Sequence, residues 1–191
     1  MPLPDQLVVA SWLIFLACWA VMAVGAKRDL GARRRWKSGG ARLGVLLLVL
    51  LAWRLLRPDR TALVLPAQAP GGDAYLGFAG VALCASGIGL AIWARVHIGR
   101  NWGMPMARKE NPELVTSGPY ARIRHPIYTG ILLAALGSVL GHNGFWMAPV
   151  LLLGVYFVHS ARREEALMLR EFPQQYRAYM RRTNMLVPFV L

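Results

Sequence analysis

The sequence is poor in cysteine and in acidic residues, and these shortages exclude several classes of protein. Its only two cysteines, Cys18 and Cys84, both lie inside apolar runs, which argues against a disulfide framework or a cysteine metal site. The four histidines lack the spacing of a helical metal site, so no metal is predicted. With 9 acidic against 22 basic residues the net charge is +13, and the positions of the basic residues indicate which function this charge serves.

Apolar residues are abundant instead, at 56% of the 191 positions, and they form long runs with few charges. Such runs are typical of membrane spans. Three of the runs are predicted as full spans, at 7–26, 43–65 and 75–96. Two shorter runs, 127–140 and 145–158, are predicted to form a hairpin with a tight turn at 141–144. Each hairpin arm is shorter than the ~20 residues of a full crossing. The hairpin is therefore expected to tilt or to cross only in part.

The basic residues predict the orientation in the membrane. Nineteen of the 22 fall in the segments 27–42, 95–126 and 160–191, while Arg54, Arg57 and Arg60 lie on the opposite side. The positive-inside rule then places the N-terminus outside and the C-terminus in the cytoplasm. Charge in loops beside apolar spans does not form a phosphate-binding face, so no nucleic-acid partner is predicted.

The predicted fold class is an all-α polytopic membrane protein with about five transmembrane helices and a cytoplasmic C-terminal helical segment. Residues 1–74 are expected to form an N-terminal pair of spans with a basic cytoplasmic loop. Residues 75–191 are expected to form the functional core, ending in an amphipathic tail. Small residues in the third span predict a face for close helix packing, namely Gly80, Gly87 and Gly89 with Ala82 and Ser86.

The stretch 114–130, LVTSGPYARIRHPIYTG, predicts a break at the membrane surface. Thr116 or Ser117 can cap a short helix whose first turn contains Pro119. Pro126 disfavours helix at the residue before it and suits the first position of the next membrane helix. The N-terminus of that helix is expected to be open to the cytoplasm, where it would favour an anion.

A second informative stretch, 162–182, places two carboxylates directly after an apolar arm. Glu164 and Glu165 are costly near a bilayer unless they have a task or a partner. They could serve a ligand, or they could pair with Arg162, Arg163 or a basic loop. Pro173 is expected to break the helix that precedes it.

Taken together, these motifs resemble one enzyme family. Ser117-Gly118-Pro119-Tyr120, then Arg124-His125-Pro126-Ile127-Tyr128-Thr129-Gly130, then Glu164-Glu165 and Phe172-x3-Tyr176-x2-Tyr179 form a pattern similar to that of the isoprenylcysteine carboxyl methyltransferases. The phospholipid N-methyltransferases share a looser version of it. The resemblance covers roughly residues 95–188, and the first two spans match only as generic apolar helices.

The resemblance implies S-adenosyl-L-methionine as cofactor, in a pocket open to the cytoplasm of a prokaryotic cell membrane. By position, it assigns the cofactor to Glu113, Leu114, Val115, Tyr120, His125, Pro126, Tyr128 and Glu164. It implies a membrane lipid or a prenylated small molecule or protein as substrate, with carboxyl O-methylation as reaction. Catalytic roles at the substrate are expected for Arg162, Arg163 and Glu165, although the arginine spacing is shorter than in the eukaryotic members.

Three other functions remain open from the sequence. A phospholipid amine N-methyltransferase would need a neutral amine as nucleophile. An NADPH-dependent sterol-type reductase would need a site for the 2′-phosphate, and the sequence shows no dedicated cluster for one. A non-enzymatic membrane scaffold would leave the break at Pro126 and the acidic pair without a purpose.

Overall fold

The computed structural model describes residues 3–23, 73–99, 114–140 and 147–186. These ranges are helical, with one isolated bridge between extended residues: α1 (Leu3–Ala23), α2 (Asp73–Ile98), a 3-10 helix (Gly118–Ala121), α3 (Pro126–Leu140), α4 (Met147–Glu171) and α5 (Pro173–Met180). Four predicted features lie outside the described residues: the basic loop 27–42, the second span 43–65, the hairpin turn 141–144 and Glu113.

Two helices are long and apolar enough to cross a membrane, over Leu3–Met22 in α1 and Tyr75–Ile98 in α2. They coincide with the first and third predicted spans. The apolar helix α3 is shorter, at 15 residues, as expected for a hairpin arm. α4 joins an apolar first half to a charged second half, and it ends just before Pro173 as predicted.

Proline also sets the start of α3, because Pro126 is its first residue and is fully buried. The 3-10 helix has Pro119 in its first turn, as predicted, but the predicted capping bond is absent. Ser117 occupies the N-cap position, and its hydroxyl lies 2.8 Å from Nε2 of His97 instead. The hydroxyl therefore ties the 3-10 helix to the end of α2.

α2 and α3 run antiparallel with their backbones in close contact. A Cβ atom added at Gly87 would lie 2.4 Å from the amide nitrogen of Ala134, and one at Gly137 would lie 2.4 Å from that of Cys84. Close approach through small residues is typical of membrane helices. Only part of the predicted face takes part: Gly80 and Gly87 are buried, whereas Gly89, Ala82 and Ser86 are exposed.

α1 runs parallel to α2. Gly77 lies beside Pro4 near both helix beginnings, and near both ends the Arg95 guanidinium donates to the carbonyl of Met22. The contact is apolar along its length, where Val8 and Phe15 pack with residues of α2 and α3. Because α4 returns antiparallel to α3, the ends of α1, α2 and α4 and the start of α3 all lie at one end of the bundle.

Candidate active site

The candidate site lies at this end of the bundle and is centred on His125. His125 precedes Pro126, so it stands outside the helix and its side chain is only 9% exposed. Nδ1 lies 3.4 Å from Oε2 of Glu164, and Nε2 lies 3.5 Å from Oε1 of Glu165. The imidazole is thus placed between the two carboxylates of α4, which are 39 and 40 positions later in the sequence.

The two adjacent carboxylates have different surroundings. Glu165 is buried and accepts a hydrogen bond from Nε of Arg124 at 2.5 Å. Glu164 remains 24% exposed and accepts a hydrogen bond from the hydroxyl of Tyr128 at 2.5 Å. Glu165 is therefore neutralised by Arg124, whereas Glu164 stays accessible beside the Tyr128 phenol and the His125 imidazole.

Three rings form a column next to Glu164. The rings of His125 and Tyr128 are nearly parallel with centroids 5.5 Å apart, and those of Tyr128 and Phe157 are nearly parallel at 4.4 Å. Phe157 lies on α4, two turns before Glu164, so α4 supplies both the carboxylate and one end of the column. The column fixes the orientation of Tyr128, whose hydroxyl reaches the carboxylate.

The 3-10 helix is attached to α2 through a glycine. Gly118 has a positive φ of 58°, which glycine adopts without steric cost. A Cβ there would lie 2.7 Å from the His97 ring, so a larger residue would strike the ring. The same ring stacks on Tyr120, with centroids 6.4 Å apart. Gly118 therefore lets the 3-10 helix lie directly against His97.

Tyr120 is buried between α2 and α5. Its hydroxyl donates to the carbonyl of Ala94 at 3.4 Å, and its own carbonyl accepts from the Tyr179 hydroxyl at 2.6 Å. Burial raises the pKa of Tyr120, and it raises that of Tyr179 to about 12 although two arginines oppose it. Both phenols therefore stay neutral donors at physiological pH.

The charges at the centre of the site are stabilised by one another. Burial opposes the charge on His125, but hydrogen bonding and the negative charges of Glu164 and Glu165 outweigh it and raise the pKa of the imidazole. Burial likewise opposes the charge on Glu165, but His125 and Arg124 outweigh it and lower the pKa of the carboxyl. The cluster therefore favours a cationic imidazole between two carboxylates.

Most of the predicted cofactor residues come together here. His125, Tyr128 and Glu164 are in mutual contact, and Pro126 is buried beneath them. Tyr120 lies on the neighbouring 3-10 helix, and the half-buried Leu114 and Val115 lead into it. The predicted substrate arginines, Arg162 and Arg163, are exposed on α4 and do not join the cluster, whereas Glu165 does.

Two features of the site were not predicted from the sequence. Arg124 could have been identified as the partner of Glu165 only by knowing which arginine lies opposite α4. The second is a backbone contact just before the helix that begins at Pro126, where the amide of His125 donates to the carbonyl of Met185, 60 residues later in the chain.

Two buried polar atoms at the site indicate which kind of ligand it could bind. The hydroxyl of Ser160 has no hydrogen-bond partner among the described residues, and Nε2 of His125 has a long ion-pair contact of 3.5 Å to Glu165 in place of a well-formed hydrogen bond. Ser160 lies about one helical turn from both Phe157 and Glu164, on the same side of α4. An amino-acid group of a ligand carries an anion and a cation, which suit an imidazolium and the open carboxylate of Glu164 respectively. The donor set therefore fits S-adenosylmethionine.

The sequence is similar to those of several known proteins. A model of the phospholipid methyltransferase family matches residues 76–175. A protein-S-isoprenylcysteine O-methyltransferase of Schizosaccharomyces pombe is 32% identical over 101 residues, covering 51% of this chain and 43% of that protein. The nickel-cobalt-cadmium resistance protein NccN of Alcaligenes xylosoxydans xylosoxydans is 32% identical over 94 residues, covering 48% and 44%. The chain thus spans about half the length of the curated relatives that it matches.

The fold is also similar to a solved structure, that of the eukaryotic intramembrane Ras methyltransferase, an isoprenylcysteine carboxyl methyltransferase. The TM-score is 0.57 at 23% sequence identity, and the match covers 81% of this chain and 53% of the other. The similarity shows a shared helical architecture that extends beyond the segment matched by sequence.

Proposed function

Because this chain belongs to the phospholipid methyltransferase family, we propose that it is an integral membrane methyltransferase that uses S-adenosylmethionine. The family model covers 100 of the 191 residues, including the stretch 117–130 and the pair Glu164-Glu165 that first suggested the resemblance. The observation that carries the proposal is the contact of His125, Tyr128 and Glu164. These residues come from two separate family motifs, and the fold brings them into one partly buried polar cluster.

The cofactor would be held by this cluster. Glu164 would bind the ammonium group, and His125 as a cation would bind the carboxylate. Tyr128 would keep Glu164 in place through the 2.5 Å hydrogen bond. When bound, the cofactor supplies a methyl group on a sulfonium, which is an already activated leaving group. The protein then contributes mainly position and a dry site.

For the methyl acceptor we propose a carboxylate on a hydrophobic, isoprenylcysteine-like substrate. Arg162 and Arg163 are exposed on α4 directly before the acidic pair and form no ion pair with the described residues. Either guanidinium could bind a carboxylate through two parallel hydrogen bonds, and both would repel a cationic amine. A carboxylate needs no general base, so this reaction does not require a proton acceptor at the substrate.

Glu165 was predicted to act at the substrate, but its surroundings support another role. Its carboxylate is 7% exposed and is bonded to Arg124. It therefore supports the position of Arg124 and His125, and we assign substrate contact to the arginines alone.

We also propose the five-span topology with the N-terminus outside and the site in the cytoplasm of a prokaryotic cell. The parallel directions of α1 and α2 support it, because the chain between two parallel spans has to return across the membrane. The site end of the bundle then lies on the side rich in basic residues. Cytoplasmic S-adenosylmethionine would reach this end directly.

The decisive experiment uses the purified protein with S-adenosylmethionine labelled in its methyl group. An N-acetyl-S-farnesylcysteine and, in parallel, a native lipid extract are offered as acceptors. Alkali cleaves methyl esters but not methylamines. We expect base-labile label, collected as volatile methanol, from the farnesylcysteine or from a lipid. A Glu164→Gln variant serves as the control for specific transfer.

The alternatives predict different products. Label that stays in the lipid after alkali would reject the carboxylate and favour a phospholipid amine. Absence of transfer together with binding of NADPH in a calorimetric titration would favour a reductase. Absence of binding to either cofactor would favour a scaffold.

A further inference from the structure

The end of the described chain, Thr183–Leu186, forms a segment that we call the C-terminal strap. It lies beyond the region matched by the family model, which ends at residue 175. The strap runs beside the residues that precede α3 and exchanges three backbone hydrogen bonds with them. The amides of Arg124 and His125 donate to the carbonyls of Asn184 and Met185 at 2.8 and 3.1 Å, and the Asn184 amide donates to Arg122 at 3.1 Å.

Side chains attach the strap at both of its ends. At the far end, the Thr129 hydroxyl lies 2.5 Å from the carbonyl of Leu186 and is buried. At the near end, one terminal nitrogen of Arg124 donates to the carbonyl of Thr183, and it lies 3.3 Å from that of Met180. Arg124 therefore bonds the strap and Glu165 at the same time, linking the tail to α4.

The position of His125 explains why these bonds matter. Because it precedes a proline, helical backbone is disfavoured at His125, and only its carbonyl takes part in the backbone bonds of α3, accepting from the Thr129 amide at 3.1 Å. Its amide is held instead by Met185, and its ring is held by ion-pair distances to two carboxylates and by stacking on Tyr128. A residue outside regular structure keeps one orientation only when its surroundings fix it.

We propose that the C-terminal strap is a positioning element of the cofactor site, which holds His125 against Glu164 through the anchors Arg124 and Thr129. The inference rests on the proposed function and adds residues that touch neither cofactor nor substrate. Without the strap, His125 would sample other orientations. Fixing it in one orientation would then cost free energy when the cofactor binds, so the affinity would be lower.

The test compares two substitutions at Thr129. Thr129→Val keeps the shape but removes the hydroxyl, which bonds the carbonyl of Leu186 at 2.5 Å and also lies 3.2 Å from that of His125, whereas Thr129→Ser keeps the hydroxyl. The affinity of S-adenosylmethionine is measured by calorimetry well below the unfolding temperature. Hydrogen exchange of the amides of Arg124 and His125 is measured without cofactor. We expect Thr129→Val to weaken binding about tenfold, as for one lost hydrogen bond of ~1.4 kcal/mol, and to speed exchange. Thr129→Ser should remain near the wild type.

A merely structural strap would behave differently, because it would lower the unfolding temperature while leaving the affinity of the folded protein unchanged. If the wild type binds S-adenosylmethionine and Thr129→Val binds it equally well, the inference about the strap is overturned, while the proposed function is not. A wild type that binds no S-adenosylmethionine would reject the proposed function itself.

If Thr129→Val does not fold, Asn184 supplies a second pair of variants. Asn184→Pro removes the amide that donates to Arg122, and Asn184→Ala keeps it. We expect weaker cofactor binding and faster exchange only in Asn184→Pro. Equal affinities in the two variants would overturn the inference.

Discussion

Nε of Arg124 lies 2.5 Å from Oε1 of Glu165, and the two side chains are only 9% and 7% exposed. This ion pair gives two neighbouring carboxylates different tasks. Glu165 is committed to the interior, while Glu164 stays partly open beside His125 and Tyr128. A site for a ligand that carries a positive charge needs one accessible carboxylate, and Arg124 determines which of the two it is.

Two single substitutions should separate these tasks. Glu165→Gln removes the charge opposite Arg124 and leaves a buried guanidinium without its counter-ion. We expect the free energy of unfolding in detergent to fall by about 3 kcal/mol, as for other broken buried pairs. Glu164→Gln keeps an oxygen for Tyr128 but loses the charge, so it should weaken cofactor binding at least tenfold with little loss of stability.

The two variants serve as controls for each other, since they differ by one position on α4. Chemical unfolding measures stability, and calorimetry measures cofactor affinity. Equal losses of stability in both would contradict the division of tasks. Wild-type cofactor affinity in Glu164→Gln would reject Glu164 as a binding residue.

Gly87 should tolerate no side chain. A Cβ there would lie 2.4 Å from the amide nitrogen of Ala134 and 2.5 Å from the carbonyl oxygen of Gly130, both of them backbone atoms of α3. We expect Gly87→Ala to separate α2 from α3 and to cost about 1–3 kcal/mol of unfolding free energy. Gly89→Ala is the matched control, because a Cβ at Gly89 has no atom within 4 Å. Similar stability of the two variants would contradict the packing.

Gly118 and Gly99 form another matched pair, because both have positive φ, at 58° and 54°. An alanine at either position should cost roughly 1–2 kcal/mol from the left-handed conformation. Only at Gly118 would the new Cβ also strike the His97 ring. We therefore expect Gly118→Ala to lower the stability more than Gly99→Ala does. Replacing His97 by alanine as well should remove this difference in stability. A difference that persists in the double variant would argue against the clash.

The charge on His125 predicts a pH dependence of stability. Its folded pKa lies above the ordinary value of 6.5, through hydrogen bonds and charges from Glu164 and Glu165 that outweigh burial. The stabilisation is therefore complete below pH 6.5 and is lost as the pH rises through the folded pKa. The charged groups around the imidazole are these two carboxylates and Arg124. The unfolding temperature is measured for the wild type and for His125→Gln at increasing pH from 6. The difference, wild type minus variant, should decrease as the pH rises. A constant difference would exclude a charged imidazole.

The proposed topology can be tested with reporter fusions. A fusion at Asp73, where α2 begins, should report the outside, and one at Leu191 should report the cytoplasm. The physical reason is the concentration of basic residues on one side of the membrane. Reports of the same side from both fusions would reject the five-span arrangement.

The sequence alone determined which apolar runs form α1 and α2, where proline interrupts the helices and which motifs resemble the family. Proline acts on the residues next to it, so Pro126 could be placed as the first residue of α3 and Pro173 as the break after α4. Apolar runs likewise identified α1 and α2, because crossing a membrane requires a fixed length of helix. These properties depend on neighbouring residues only.

Only the tertiary structure decided which residues meet across the chain. Nothing in the spacing shows that Arg124 pairs with Glu165, that Gly87 rather than Gly89 faces α3, or that the C-terminal strap bonds the residues just before the start of α3. The strap is joined to this end largely by backbone hydrogen bonds, which any non-proline sequence can make and which leave no pattern in the residues. Long-range pairing of this kind depends on how the helices pack, so it appears only once the fold is formed.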